Sequence, residues 1–369
     1  MKKFGRMLLA LSLLMTVIIP FQHADASSTF KDVTLYEKEI NFLADKGIIN
    51  GYENGTFQPE ASIKRIQAVQ MLLRAKGIKD LSGAPDPNFA DLKKGDYGYE
   101  EAAKAVQLGF ISGKQDSKTG KKYFNPWDTL TRGQMAKVLS LAYNLKGTTV
   151  SEFYDVPSTD GFYTYINALA YNNVTTGYSN HTFKPYQSIS RQHFSVFLAR
   201  TLDSSFKEDA ANRAITGGLK PNPRKTYVYS YSFDENYSET VKYTGTDSGI
   251  DNWTGRDTDG DTYDYAYSED KDGFIAGWQD GFISSTVPYP LKLNTKWTDD
   301  FYEDEDPITY VVTSMNKTIT TPAGTFKNAI EIKTNFDTSE YYVQGVGLVL
   351  MLDTSVKPVD KIQELKKIY

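Results

Sequence analysis

The sequence predicts two architectures in one chain. A module built from three copies of a helix–loop–helix unit comes first. A mainly antiparallel β domain, curled toward a half-barrel, follows it. Three observations carry this reading. One set of motifs recurs three times between residues 28 and 205. Glycine and proline then cluster at Gly217-Gly218 and Pro221-Asn222-Pro223, the mark of a linker. Beyond that point 14 of the 26 tyrosines crowd into residues 225–369, many of them at alternate positions.

The first 26 residues stand apart from both architectures. Lys2, Lys3 and Arg6 precede an apolar run from Met7 to Phe21, and Ala24-Asp25-Ala26 supplies small residues for cleavage. That is the pattern of an export signal, with a mature chain starting near Ser27. The apolar run is short for a membrane span, so no membrane insertion is expected after cleavage. The chain has 369 residues and no cysteine, which excludes disulfides, thiolate metal sites and a lipidated cysteine. Its three histidines, His23, His181 and His193, leave the last 176 residues without a histidine-based triad or metal site. The net charge of −5 argues against nucleic acid as a partner.

The repeats align residue by residue. The first runs from Phe30-Lys31-Asp32-Val33 through Gly51-Tyr52-Glu53-Asn54-Gly55-Thr56-Phe57-Gln58-Pro59 to Lys64-Arg65-Ile66-Gln67. The second runs from Phe89-Ala90-Asp91-Leu92 through Gly113 and Tyr123-Phe124-Asn125-Pro126 to Thr131-Arg132-Gly133-Gln134. The third runs from Phe153-Tyr154-Asp155-Val156 through Gly177-Tyr178 and Thr182-Phe183-Lys184-Pro185 to Ser190-Arg191-Gln192-His193. In each, a short amphipathic helix precedes the loop and a second helix follows it; Ile66, Val69 and Leu73 mark the apolar face of the first such helix. Thr131 with Gln134 forms a capping box, Ser190 caps the third copy, and Lys64 gives the first a weaker start. A single unit buries little surface, so the three should pack around their second helices.

These motifs resemble S-layer homology domains, a bacterial cell-wall-binding family found as three tandem copies. The resemblance implies a pseudo-threefold α-helical module whose grooves bind secondary cell-wall polysaccharide, often through pyruvylated N-acetylmannosamine. The candidate binding residues are Arg65, Arg132 and Arg191, with Asp32, Asp91 and Asp155, and with Gly51, Tyr52, Gly177 and Tyr178. An arginine fork at a helix start matches the carboxylate of a pyruvate ketal. The aspartates either accept hydrogen bonds from sugar hydroxyls or position the repeat. The family's acidic residue at the helix start is Gln67, Gln134 and His193 here. Its tryptophan is missing from the first helices, where Tyr97 and Phe162 stand instead. The second copy replaces the Gly-Tyr turn by Gly113-Lys114 and an expanded loop. The three grooves are therefore expected to be unequal, with at least one silent.

The domain boundaries that follow are 1–26 for the signal, 28–82, 87–146 and 151–205 for the repeats, 206–224 for the linker and 225–369 for the β domain. Residues 27–205 carry a net charge of +3 and residues 206–369 a net of −10. The basic half suits an anionic wall polymer, and the acidic half would project away from it.

In the β domain, Tyr227, Tyr229 and Tyr231, then Tyr263, Tyr265 and Tyr267, have strand periodicity, and Asp259-Gly260 and Asp272-Gly273 read as hairpin turns. Strands are expected at Tyr310–Met315, Lys317–Thr320, Ala329–Thr334 and Glu340–Val343, with a last buried one from Gly345 to Leu350. The stretches Thr321–Phe326 and Tyr341–Leu348 resemble exported bacterial β domains of lipoprotein-carrier-like shape. Asp257, Asp259 and Asp261 are weak calcium candidates, but a solvated hairpin turn fits them better because no closing glutamate follows. The carboxylates from Asp299 to Asp306 could serve a glycan hydrolase, but so crowded a run fits a solvated loop better. Trp253, Trp278 and Trp297, if exposed, could stack on sugars or line an apolar pocket, with core or sheet surface as the default for such strand residues. The reading is a non-enzymatic surface protein without cofactors, anchored to polysaccharide and compatible with a surface-layer lattice. Its alternatives place a wall-tethered hydrolase, or a carrier of an apolar ligand, in the C-terminal domain.

Overall fold

A computed structural model describes residues 30–148, 153–178, 180–207, 211–300 and 306–369. The expected export signal and its cleavage point lie outside these residues. Among the described residues six α-helices form the N-terminal part: α1 (Glu37–Asp45), α2 (Arg65–Ala75), α3 (Tyr99–Gln107), α4 (Arg132–Tyr143), α5 (Tyr163–Tyr171) and α6 (Arg191–Leu202). Each repeat contributes a short helix and a longer one. The long helices begin where the capping residues stand. Thr131 accepts from the Gln134 N–H at 3.2 Å, and the Gln134 side chain accepts from the Thr131 N–H at 3.1 Å. Gln67 reaches back to the Lys64 N–H at 3.1 Å, but a lysine side chain has no acceptor to return the bond. Among the described residues no helix is long and apolar enough to cross a membrane.

The residues before the long helices close a ring. The Ile63 N–H donates to the Ile189 carbonyl, Leu130 to Ile63, and Ile189 to Leu130, at 3.1, 3.1 and 2.9 Å. All three side chains are fully buried on the pseudo-threefold axis. Ile66, Leu72, Leu139, Phe194 and Leu198 from the long helices fill the surrounding core. The expanded loop of the second repeat folds as a small hairpin, β1 (Lys114–Gln115) and β2 (Lys122–Tyr123).

The C-terminal part is one antiparallel sheet. Its strands are β3 (Thr226–Tyr231), β4 (Asp234–Asp247), β5 (Ile250–Asp257), β6 (Thr262–Glu269), β7 (Gly273–Trp278), β8 (Ile283–Pro288), β9 (Lys296–Asp299), β10 (Ile308–Thr321), β11 (Gly324–Thr334), β12 (Thr338–Val343), β13 (Gly347–Asp353) and β14 (Asp360–Ile368). They run in the order β8-β7-β6-β5-β4-β3-β14-β13-β12-β11-β10-β9, so every neighbour but one is also next in sequence. The sheet curls until its edges approach. The Thr286 hydroxyl on β8 donates to the Asp299 carboxylate on β9, and Phe274 on β7 meets Tyr342 on β12 edge to face at 6.2 Å. The sheet is thus nearly a barrel. The two segments Tyr310–Met315 and Lys317–Thr320 belong to one strand, β10, whose pairing with β11 shifts register between Val312 and Ile319. Such bulges bend a long strand without ending it.

The three tryptophans differ in exposure. Trp253 is not exposed; it is fully buried among Tyr227, Tyr243 and Tyr267. Trp297 is half-buried and stacks on Tyr310 at 5.0 Å. Only Trp278 of the three is exposed. Residues 211–224, between the two parts, are packed rather than free. Ile215 exchanges backbone bonds with Leu291, and Leu219 is fully buried. This segment also holds the third repeat: Arg224 donates to the carbonyls of Phe153 and Tyr154, and the Tyr154 hydroxyl donates to the Lys220 carbonyl at 2.5 Å.

Candidate functional site

The repeat motifs meet between neighbouring copies. Arg65, Arg132 and Arg191 are each the first residue of a long helix. Each reaches out of its own repeat into the loop of the next. The Arg65 Nε donates to the Phe124 carbonyl, Arg132 to Phe183, and Arg191 to Phe57, at 2.8, 2.7 and 2.8 Å. The same loops are held from below by the aspartates. Asp32 accepts from the N–H groups of Phe57 and Gln58, Asp91 from Phe124 and Asn125, and Asp155 from Phe183 and Lys184, all between 2.6 and 2.8 Å. Burial raises the Asp32 carboxyl, but these two N–H donors outweigh it and hold it below the usual carboxylate range. The glycines serve the same loops. A Cβ on Gly51 or Gly177 would lie 2.3 Å from the ring of Phe30 or Phe153, so only glycine lets that ring pack beneath the turn.

The grooves differ in what covers the arginine. Arg132 lies between the rings of Tyr178 and Phe183, at 4.7 and 4.6 Å, and Arg191 between Tyr52 and Phe57, at 5.1 and 4.6 Å. They are 6% and 7% exposed. Arg65 has only Phe124, at 5.1 Å, because Lys114 occupies the place of the covering tyrosine. Its guanidinium also donates to the Ser112 carbonyl at 3.2 Å and is half-buried. Burial lowers the pKa of all three arginines without discharging any of them. A cavity of about 340 Å³ opens around Arg65, lined by Lys114, Asn125, Gln134, Lys137 and Phe162 among others. Asn125 and Asp128 also border a shallower depression beside Tyr97 and Trp127. Those two rings stack at 5.8 Å and are 63% and 58% exposed. In the third repeat the exposed Tyr186 meets a half-buried Phe162 edge to face at 6.0 Å, and the first has Glu60 where Trp127 and Tyr186 stand.

Motif reading had not singled out Trp127 or Lys137. The signal for Trp127 is its place after the loop proline, in Asn125-Pro126-Trp127. Lys137 has no local signal; it enters the cavity from α4. The substituted helix starts also work differently. His193 joins its ring Nδ1 to the Ser190 hydroxyl at 2.8 Å, while Ser190 accepts from the His193 N–H at 3.3 Å.

The β-domain candidates are placed as follows. Asp257 is occupied by its own hairpin turn. It accepts from the N–H groups of Asp259 and Asp261 at 3.0 and 2.9 Å and from the hydroxyls of Tyr237 and Tyr263 at 3.2 Å. Asp259 and Asp261 are exposed, and no metal-holding cluster of three His, Asp or Glu occurs among the described residues. Of the carboxylate run, Asp299 is buried on Thr286, Asp300 and Asp306 are exposed, and residues 301–305 lie outside the described residues.

Comparison with known proteins bears on the repeats. Residues 29–69, 88–136 and 152–195 match the S-layer homology domain family. A surface-layer 125 kDa protein of Lysinibacillus sphaericus is 29% identical over 209 residues, 55% of this chain and 17% of that protein. S-layer protein EA1 of Bacillus anthracis is 29% identical over 229 residues, 60% of this chain and 26% of that protein. An amylopullulanase of Thermoanaerobacterium thermosulfurigenes is 26% identical over 188 residues, 48% of this chain and 10% of that enzyme. The chain thus matches about a quarter or less of the length of these relatives. It carries three S-layer homology domains, and they assign it to the cell surface, as an anchored protein of the wall or surface layer.

Proposed function

We propose that the three repeats hold the chain to an anionic secondary cell-wall polysaccharide, one bearing pyruvylated N-acetylmannosamine, and that the groove of Arg65 is the principal seat. The observation that carries this is the open cavity around Arg65, with two lysines beside it and an aromatic platform adjoining it. A pyruvate ketal offers one carboxylate. Arg65 at a helix N-terminus, with Lys114 and Lys137, supplies the matching charge. The stacked Tyr97 and Trp127 supply a flat apolar face of the kind sugars pack against. Asp91 acts through the loop it holds, as do Asp32 and Asp155 in the other copies. Tyr52 and Tyr178 act as lids over Arg191 and Arg132, so those two grooves contribute less. The C-terminal domain is displayed rather than catalytic in this reading. Relatives named as S-layer proteins favour a place in or on a surface lattice.

The test is co-sedimentation of the full chain with wall sacculi, before and after the secondary polysaccharide is stripped. Binding should require the polysaccharide. Arg65→Ala should weaken it by about tenfold or more, as expected for loss of a charge-assisted pair. Equal binding to stripped walls, or a larger loss from Arg132→Ala or Arg191→Ala in folded protein, would overturn the assignment.

A further inference from the structure

The interior of the curled sheet holds a second cavity, of about 290 Å³. Its wall carries Tyr229 and Tyr231 on β3 and Tyr265 and Tyr267 on β6, from the two alternating tyrosine runs, together with Phe274 on β7 and Tyr342 on β12. Trp278, 40% exposed, stands at its margin. Two carboxylates share this wall. Glu239 on β4 is 2% exposed and Glu340 on β12 is 6% exposed.

Their partners set them apart from three other buried acids; Asp257 and Asp299, buried outside this cavity, are held by amides and hydroxyls. Asp251 pairs with Lys220 at 2.7 Å, Glu331 with Lys317 at 3.5 Å, and Glu364 with Lys361 at 2.7 Å. Glu239 and Glu340 have no lysine or arginine partner among the described residues. Glu239 accepts from the hydroxyls of Tyr231 and Tyr265, both at 2.7 Å, and Glu340 from Tyr342 at 3.0 Å. Room for Glu239 is kept deliberately: a Cβ on Gly255 would fall 1.6 Å from its Oε1. A buried carboxylate without a counter-ion is costly, and two of them around one cavity call for positive charge from outside.

The same bonds narrow the ligand. Three tyrosine hydroxyls are committed to the two carboxylates, and the Tyr229 hydroxyl to the Leu348 carbonyl at 3.3 Å. What remains for a guest is mainly aromatic surface and negative charge, with Ser285 and Gln363 as neutral polar groups on the same wall, a combination that favours a cation over a neutral lipid. We propose that this cavity is a binding site for a small organic cation, a protonated amine or a quaternary ammonium group. The net charge of −10 on residues 206–369 draws such ligands toward the domain.

The experiment is calorimetric titration of the full chain with choline, with n-butylamine, and with the uncharged alcohol in which carbon replaces choline's quaternary nitrogen. Tryptophan fluorescence is followed in parallel. At least one cation should bind, with the alcohol about tenfold weaker or worse, since cation–π and carboxylate attraction both vanish. Glu239→Gln and Glu340→Gln should each weaken the cation by about tenfold while the melting transition persists. Trp278→Ala, at an exposed position, should weaken it less and serves if either glutamine variant fails to fold. The proposal is overturned if neither cation binds at millimolar concentration, if the alcohol binds as tightly, or if the folded variants keep full affinity. Wall sedimentation of the same variants should be unchanged, which keeps this site separate from the groove of Arg65.

Discussion

The grooves of Arg65 and Arg191 use the same motif for different ends. Arg191 is sandwiched by Tyr52 and Phe57 and bonded to the Phe57 carbonyl, and the fold has used up its surface. Arg65 makes the equivalent carbonyl bond but lacks the second ring, and a cavity stands open beside it. Divergence from the repeat pattern is therefore not the same as a silent groove. Losing the consensus tyrosine at Lys114 uncovers the arginine instead of disabling it. A charged group that the fold has satisfied contributes to stability; one left with room is available to a ligand.

The largest effect that sharpens this contrast lies in the β domain. Glu340 is an acid that the fold leaves without a cation, and burial makes it keep its proton instead. Burial pushes its pKa up to about 7, the Tyr342 hydroxyl offsets part of that, and nearby Asp299 adds to it. The folded chain then holds a proton that the unfolded chain releases above about pH 4.5. Stability should fall as pH rises from about 4.5 to 7, by about 3 kcal/mol, and stay low above that. Glu340→Gln should remove this slope, as read by urea unfolding of the β domain across that range. Asp32, held low by backbone donors, has the opposite sign: its contribution is present above the ordinary carboxylate pKa and is lost in acid.

Next in size, Arg132→Ala should cost about 2 kcal/mol of stability in the helical module, because a buried charged hydrogen bond and two ring contacts vanish. Arg65→Ala should cost less stability and more wall binding. Denaturant melts and sedimentation on the same samples separate the two, and matching losses in both variants would break the contrast. Lys114→Tyr should close the open groove and weaken sedimentation by about tenfold, the reverse of a consensus repair. Smallest, Thr131→Ala should destabilise by about 1 kcal/mol, whereas Lys64→Ala should change stability by no more than a few tenths, since only the threonine accepts a bond from the helix.

Much of this is legible in the sequence alone. Repetition exposed the arginines, and the Thr131–Gln134 spacing placed the start of α4. The alternating tyrosines of β3 and β6 marked one face of the sheet. Less legible were contacts between residues distant in sequence. Nothing local in Phe30-Lys31-Asp32-Val33 says that Asp32 will bind amides 25 and 26 residues later. A lone tryptophan in a strand reads the same whether it faces solvent or, like Trp253, the core. The missing ring over Arg65 shows only when the arginine of one copy is seen to meet the loop of the next. Glycine and proline between residues 217 and 223 signalled a turn-rich path but not its docking against the third repeat.

The ring of Ile63, Leu130 and Ile189 has a consequence for how such a chain can change over time. In an open stack of repeats, units can be gained or lost at an end, because the end units lack one neighbour already. Here the first copy grips the second, the second the third, and the third the first, so the arrangement has no spare end. Copy number is locked at three by closure, and deleting one unit orphans both survivors. Innovation is then confined to substitution and to loop insertions such as the hairpin of β1 and β2. Each groove can drift toward its own task while the closed frame keeps every position in place.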